Sequence, residues 1–198
     1  MRLNWLEQLA MNNPVQAAIQ RGVEAKRLLA MGGPMSGGEA LEIGCGRGVG
    51  VEIILEQFGA DRVDAFDLDP HMVTLAQRRA RPWGKRVGVW TGDVTAVPAL
   101  DNHYDAVFDF GIIHHVPVWR DALTEVHRVL KPGGRLYAEE VLDGFLLHPL
   151  VRRLTDHPLD DRFNHDRFRD ALVAGGFRVI ASRQLLGSLA WFIADKPP

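Results

Sequence analysis

The chain has 198 residues, 46% hydrophobic and 24% charged, the balance of a globular domain that can bury a sheet. Its 25 acidic and 23 basic side chains give a net charge of −2, which excludes bulk electrostatic affinity for nucleic acid. A single cysteine, Cys45, excludes an internal disulfide and points to a reducing, cytoplasmic setting. No apolar run reaches the roughly 20 residues that span a bilayer, and the N-terminus lacks a signal-peptide layout.

Two helices are expected first, over 3–11 and 15–30, broken at Asn12-Asn13-Pro14. Asn13 suits a cap and Pro14 the first helical position. The second helix gathers Ala18, Ile19, Val23, Leu28 and Leu29 roughly on one side. These helices either pack on an edge of the main domain or close over a ligand. A glycine-rich linker (MGGPMSGGE, 31–39) follows, so 1–35 reads as a cap or edge element and 36–198 as the main domain.

The main domain is organised around Leu41–Gly48 (LEIGCGRG). A short apolar strand carrying one acid, Glu42, runs into Gly44, Gly46 and Gly48, and an apolar-periodic helix (Val49, Ile53, Ile54, Phe58) follows. Strand, glycine turn and helix form the first half of a nucleotide-binding βαβ unit, in which a ligand lies directly on the main chain. A second strand, 62–67, ends at Asp67, about 20 residues beyond the glycine turn. There an acidic side chain accepts hydrogen bonds from both hydroxyls of a ribose; a lone strand-end aspartate would read as a cap or turn residue.

Asp69 and Pro70 open a helix to about Arg81. Strand 86–91 leads to Thr91-Gly92-Asp93-Val94, and strand 104–110 ends in Phe110-Gly111. A helix over 118–130, a turn Lys131-Pro132-Gly133-Gly134 and a strand over 135–141 follow. This alternation predicts an α/β fold with a mostly parallel, doubly wound sheet and ligands beyond the carboxyl ends of its strands. Residues 142–162 are the least regular and read as an insertion. Asn164 caps a helix ending at Gly175-Gly176. Strands 177–185 and 189–195 then form a hairpin at Gly187-Ser188, leaving the last strand antiparallel.

LEIGCGRG, FDLDPHM, TGDV, YDAVFDFGIIHHV and HRVLKPGG occur in this order between residues 38 and 141. Together they resemble the class I S-adenosylmethionine-dependent methyltransferases, especially the small type 11 subgroup similar to ubiquinone/menaquinone biosynthesis methyltransferases. The resemblance implies a Rossmann-like seven-stranded sheet with an antiparallel last strand. It implies S-adenosyl-L-methionine as cofactor and S-adenosyl-L-homocysteine as product. On that resemblance Glu42 and the backbone of Gly44, Cys45 and Gly46 hold the methionyl amino and carboxylate groups. Asp67 takes the ribose, Leu68 and Met72 pack near the adenine, Asp93 and the Val94 N–H read the adenine, and Phe110 and Gly111 line the methionyl chain. Arg47 and Phe110 depart from the pattern, which often has threonine or serine at the first position and a small or amide residue at the second. Cys45 reads as a small filler.

The charges agree with that cofactor. Glu42, Asp67 and Asp93 converge on the ligand edge with only Arg47 nearby, which repels a pyrophosphate and attracts a sulfonium that carries an ammonium group. A dinucleotide fingerprint also needs a glycine where Val49 stands, which disfavours a nicotinamide-dependent oxidoreductase, the rival enzyme class. A non-catalytic binding or scaffold module on the same fold is the rival of another kind. The chain reads FGII after the fourth strand, where nucleic-acid methyltransferases carry an Asn/Asp-Pro-Pro-aromatic motif.

Methyl transfer needs nucleophile, methyl and sulfur aligned in a dry pocket, and a base only where the acceptor loses its proton early. The candidates are His115, His114 and Glu140. Strand alternation turns one of Glu139 and Glu140 into the packing and the other outward. No histidine, cysteine or carboxylate set has metal-ligand spacing, so no metal is expected. The expected partner is a small-molecule acceptor methylated at O, N or C, and not nucleic acid. The 142–162 stretch sets Phe145, Leu146, Leu147, Leu150, Val151 and Leu154 beside Arg152 and Arg153: an apolar lid, a weak membrane-surface contact, or a helix packed on the sheet.

Overall fold

The computed structural model describes residues 13–146 and 161–198. The expected helix over 3–11 and most of the 142–162 insertion lie outside the described residues.

The first strand, β1 (Glu39–Ile43), is buried along four of its five residues, as expected of a central strand covered on both faces. It pairs in parallel with β2 (Arg62–Asp67) on one side and β4 (Tyr104–Phe110) on the other. Beyond β2 lies β3 (Val87–Thr91), and beyond β4 lies β5 (Leu130–Val141), both parallel. The hairpin of β6 (Arg178–Leu185) and β7 (Leu189–Asp195) completes the sheet, with β7 inserted antiparallel between β5 and β6. The order is therefore β3-β2-β1-β4-β5-β7-β6, and it reverses between β1 and β4. That reversal leaves a crevice outside the carboxyl ends of the two central strands.

Because side chains alternate along a strand, the sheet supports two cores. One face carries Leu41, Val107, Leu136 and Phe192 against α5 (Trp119–Val129) and α6 (His165–Ala174). The other carries Phe108, Tyr137, Trp191 and Ile193 against the N-terminal helix and α3 (Val49–Ile53) with its continuation Ile54–Phe58. On that second face Phe108 lies 4.7 Å from Phe58, edge-on, and 4.6 Å from Tyr137, stacked. Each such ring removes apolar area from water worth about 1.5–3 kcal/mol.

The N-terminal helix starts where expected, the Asn13 side chain accepting from the Gln16 N–H at 2.9 Å. It runs as α1 (Pro14–Ile19), a π-helical turn (Gln20–Glu24) and α2 (Ala25–Gly32), all with right-handed helical backbone at the joins. Its C-terminal carbonyls, which lack intrahelical partners, are met by β5: the Tyr137 hydroxyl donates to Gly33 O at 2.9 Å, and the Arg135 guanidinium to Gly32 O. The helix thus extends two residues past the expected end, and the linker is shorter.

Two other expectations shift. Lys131-Pro132-Gly133-Gly134 is not a turn before β5 but a bulge inside it, the pairing jumping from Tyr104–Leu130 to Ala106–Arg135. The bulge is held by the C-terminus, since Gly133 N donates to Lys196 O at 2.8 Å and Lys196 N to Gly134 O at 2.9 Å. The β6–β7 turn is centred on Leu186-Gly187, both with positive φ, and closes through Ser188 N to Leu185 O at 2.9 Å. The helix expected over 70–81 is α4 (Pro70–Ala80), capped by Asp69, which accepts from His71 N at 2.9 Å. No described helix is long and apolar enough to cross a membrane.

Candidate active site

A cavity of about 630 Å³ fills the crevice at the strand-order reversal. All eleven residues expected to meet the cofactor line it: Glu42, Gly44, Cys45 and Gly46 after β1, Asp67, Leu68 and Met72 after β2, Asp93 and Val94 after β3, and Phe110 and Gly111 after β4. His115 also lines it. His114 and Glu140 do not.

The glycine turn is shaped by its neighbours. Gly44 has φ +65°, and a Cβ there would fall 2.4 Å from the Ile112 side chain, so no other residue fits without moving the β4 loop. At Gly46 a Cβ would meet nothing within 4 Å, which leaves its backbone facing open space on the cavity side. The Gly46 N–H is held by Asp67 Oδ2 at 2.8 Å, while Asp67 Oδ1 accepts from Asp69 N at 2.8 Å. Asp67 therefore ties the β1 and β2 loops together. Burial pushes its carboxyl above the usual range, against the pull of those N–H donors.

Glu42 is the most unusual group. It is 2% exposed, and its Oε2 has no hydrogen-bond partner among the described residues. Burial, reinforced by the charge of Asp67, raises its carboxyl well above the carboxylate range. A Cβ at Gly50 would lie 1.9 Å from Glu42 Oε1, so the glycine of Val49-Gly50-Val51 leaves room for this side chain. A buried carboxyl with an unmet oxygen in a cavity suits a cationic ligand group. Beside β3, Thr95 fixes Asp93 by donating its N–H (2.9 Å) and hydroxyl (2.8 Å) to Oδ1. Cys45 is buried, and burial followed by the charges of Glu42 and Asp67 raises its thiol well above normal, the opposite of a nucleophile.

The far side of the cavity is different. Asn13, Pro14, Ala17, Ala18, Gln20 and Arg21 of the N-terminal helix face Ile112 and Val116-Pro117-Val118 across it. Arg21 bonds Glu52 and Glu56 (2.7 Å to the latter), and Arg79 bonds Glu52 at 3.1 Å, fastening the helix to α3 and α4. Sequence reading left this helix between edge packing and closure over a ligand; the structure lays it along the cavity. Nothing in its pattern marks Ala17 and Ala18 as lining residues.

Glu139 and Glu140 point to opposite faces of β5, yet neither is outward, at 7% and 0% exposure. The expectation of one solvent-facing carboxylate fails because the N-terminal helix covers that face. Glu139 accepts from Trp191 Nε1 and faces Glu24 of the π-helical turn; burial and then the Glu24 charge push it up to about 9. On the other face Glu140 accepts from Ile113 N at 2.7 Å, His114 N at 3.3 Å and His114 Nδ1 at 2.6 Å. Among the described residues no three potential metal ligands come together.

The comparisons with known proteins agree with this geometry. A family model described as a methyltransferase domain matches residues 40–134. The chain is 30% identical over 142 residues to a fatty-acid O-methyltransferase of Mycolicibacterium smegmatis, covering 72% of this chain and 47% of that protein. It is 33% identical over 130 residues to the malonyl-[acyl-carrier protein] O-methyltransferase of Serratia marcescens, covering 66% and 48%. The chain thus spans about half the length of these curated relatives. Among solved structures, the complex between the Haloferax volcanii Trm112 methyltransferase activator and a methyltransferase matches with TM-score 0.82 and 19% identity over 100% of both chains, which establishes the fold. Residues 40–134 thus form a methyltransferase domain of the class I S-adenosylmethionine-dependent type.

Proposed function

We propose that the protein transfers a methyl group from S-adenosylmethionine to an apolar small molecule lying under α1. Glu42 carries the reading. A buried carboxyl with one oxygen unmet, next to a glycine backbone open to the cavity, fits an ammonium group lying on the main chain. When bound, S-adenosylmethionine supplies a methyl carbon already activated by positive sulfur.

The residues divide the remaining work. Glu42 holds the ammonium, Asp67 the ribose hydroxyls, and Asp93, fixed by Thr95, the adenine amino group. Phe110 and Gly111 bound the methionyl chain. The protein then has to orient an acceptor and keep water out. Pro14, Ala17 and Ala18 on one side and Val116, Pro117 and Val118 on the other offer it apolar surface, with Asn13, Gln20 and Arg21 beside them. We assign His115, which lines the cavity next to Val116, the role of holding a proton that leaves the acceptor. The similarity to a fatty-acid O-methyltransferase supports an acceptor with an aliphatic body.

The test is incubation with methyl-labelled S-adenosylmethionine and a panel of long-chain fatty acids, alkylphenols and quinols. Label should enter the organic phase with at least one class. Label that enters only water-soluble acceptors would overturn the apolar assignment.

A further inference from the structure

Three consecutive backbone N–H groups at the end of β4 are each held by a buried carboxyl. Ile112 N donates to Asp109 Oδ1 at 2.9 Å, Ile113 N to Glu140 Oε1 at 2.7 Å, and His114 N to Glu140 Oε2 at 3.3 Å. The His114 ring adds a fourth contact, Nδ1 to Glu140 Oε2 at 2.6 Å. These groups belong to the tight 3-10 turn Ile113–His115, which follows Gly111 at φ +80° and closes through Val116 N to Ile113 O at 2.9 Å. His114 is folded away from solvent at 7% exposure, and the next residue, His115, enters the cavity. A three-residue turn has little intrinsic stability, so its conformation is set by what its N–H groups bond to.

Glu140 itself cannot act on a substrate. It is 0% exposed, lies outside the cavity lining, and both its oxygens are occupied. We propose that Glu140 is a positioning residue: by clamping the Ile113 and His114 amides and the His114 ring, it fixes the turn that presents His115 to the acceptor. The identity of that acceptor rests on the methyltransferase reading; the coupling between Glu140 and His115 does not. Asp109 completes the clamp. Burial and the adjacent Glu140 raise the Asp109 carboxyl well above the normal range, while burial brings Glu140 up to about 7. Charge-assisted bonds from N–H groups to a buried carboxylate are shorter and stronger than neutral ones, which suits a clamp.

The test uses the full chain, labelled with nitrogen-15 at histidine and backbone amides, as wild type, Glu140→Gln and Glu140→Asp. Glutamine keeps the shape but offers one accepting oxygen instead of two; aspartate keeps the charge but withdraws it by a methylene. In either variant that folds, exchange of the Ile113 and His114 amides should speed up at least about tenfold. The pH midpoint of the His115 ring should move by about half a unit or more while that of the remote His127 stays in place. A loss of melting temperature with an unmoved His115 midpoint would mean that Glu140 only stabilises the fold, and would overturn the proposal. Both readouts are taken without ligand. Titration of the wild type with S-adenosylhomocysteine is a separate arm: ring shifts at His115 support the methyltransferase reading, and their absence sinks that reading while leaving the clamp to stand or fall on its own.

Discussion

The two sides of the cavity are built differently. The side lined by Glu42, Asp67 and Asp93 is made of loops that leave the ends of four parallel strands, and backbone N–H groups of those loops pin its acids: Gly46 and Asp69 hold Asp67, and Thr95 holds Asp93. The opposite side is made of a helix laid across the opening and a short turn, fastened by side chains of other elements, from Arg21 to Glu52 and Glu56 and from Glu140 to Ile113. Bonding among strand-end loops makes a site that recurs as a sequence pattern.

The largest effect should come from cutting the bonds between the strand-end loops. Asp67→Ala removes the ribose acceptor and frees the Gly46 and Asp69 N–H groups, each unmet bond being worth about 1–3 kcal/mol. Affinity for S-adenosylhomocysteine, measured by calorimetry, should fall at least about tenfold and melting temperature should drop with it. Unchanged affinity would remove Asp67 from the site. Ala18→Phe tests the other side: a ring filling the space under α1 should lower turnover of an identified acceptor about tenfold or more while leaving homocysteine-product affinity within about twofold. Equal loss of both would mean that the two sides are one site.

The third prediction concerns the two covered faces of β5. Glu139, at about 9, and Glu140, at about 7, bind protons more tightly in the folded chain than unfolded. Their contribution is therefore complete below the unfolded carboxylate range and is lost as pH rises through about 7 and then about 9. Melting temperature should fall on going from pH 6 to pH 9, and Glu139→Gln should flatten the upper part of that slope. A slope unchanged in the variant would contradict the raised Glu139 carboxyl. The smallest effect belongs to Arg21→Ala. Its ion pairs are partly solvated, so the change in stability should stay within about 1 kcal/mol, with cofactor affinity unaffected.

The same contrast explains what could be read from the sequence. Strand, glycine turn and strand-end acid are short sequence features, and they located the sheet, the glycine turn and Asp67; the other residues of the eleven around this cavity were named by the resemblance to class I methyltransferases. The placement of the N-terminal helix was not legible, because Ala17 and Ala18 look like any small helix residues. Gly50 was passed over, although its reason for being glycine, the Glu42 carboxyl against it, is a contact between a strand and the following helix. Glu140 looked like a strand-end acid free to meet a substrate. Only the pairing of β4 with β5 shows that its oxygens are already taken by the His114 turn. The Lys131–Gly134 bulge was hidden for a related reason, since the C-terminal Lys196 backbone that holds it is far along the chain.

The most direct test of the account is calorimetric titration of the purified protein with S-adenosylhomocysteine, with NADH as control. The acid-lined, glycine-floored side of the cavity predicts micromolar binding of the first and none of the second. No heat with S-adenosylhomocysteine, or equal binding of NADH, would contradict it and leave the fold as a binding module for something else.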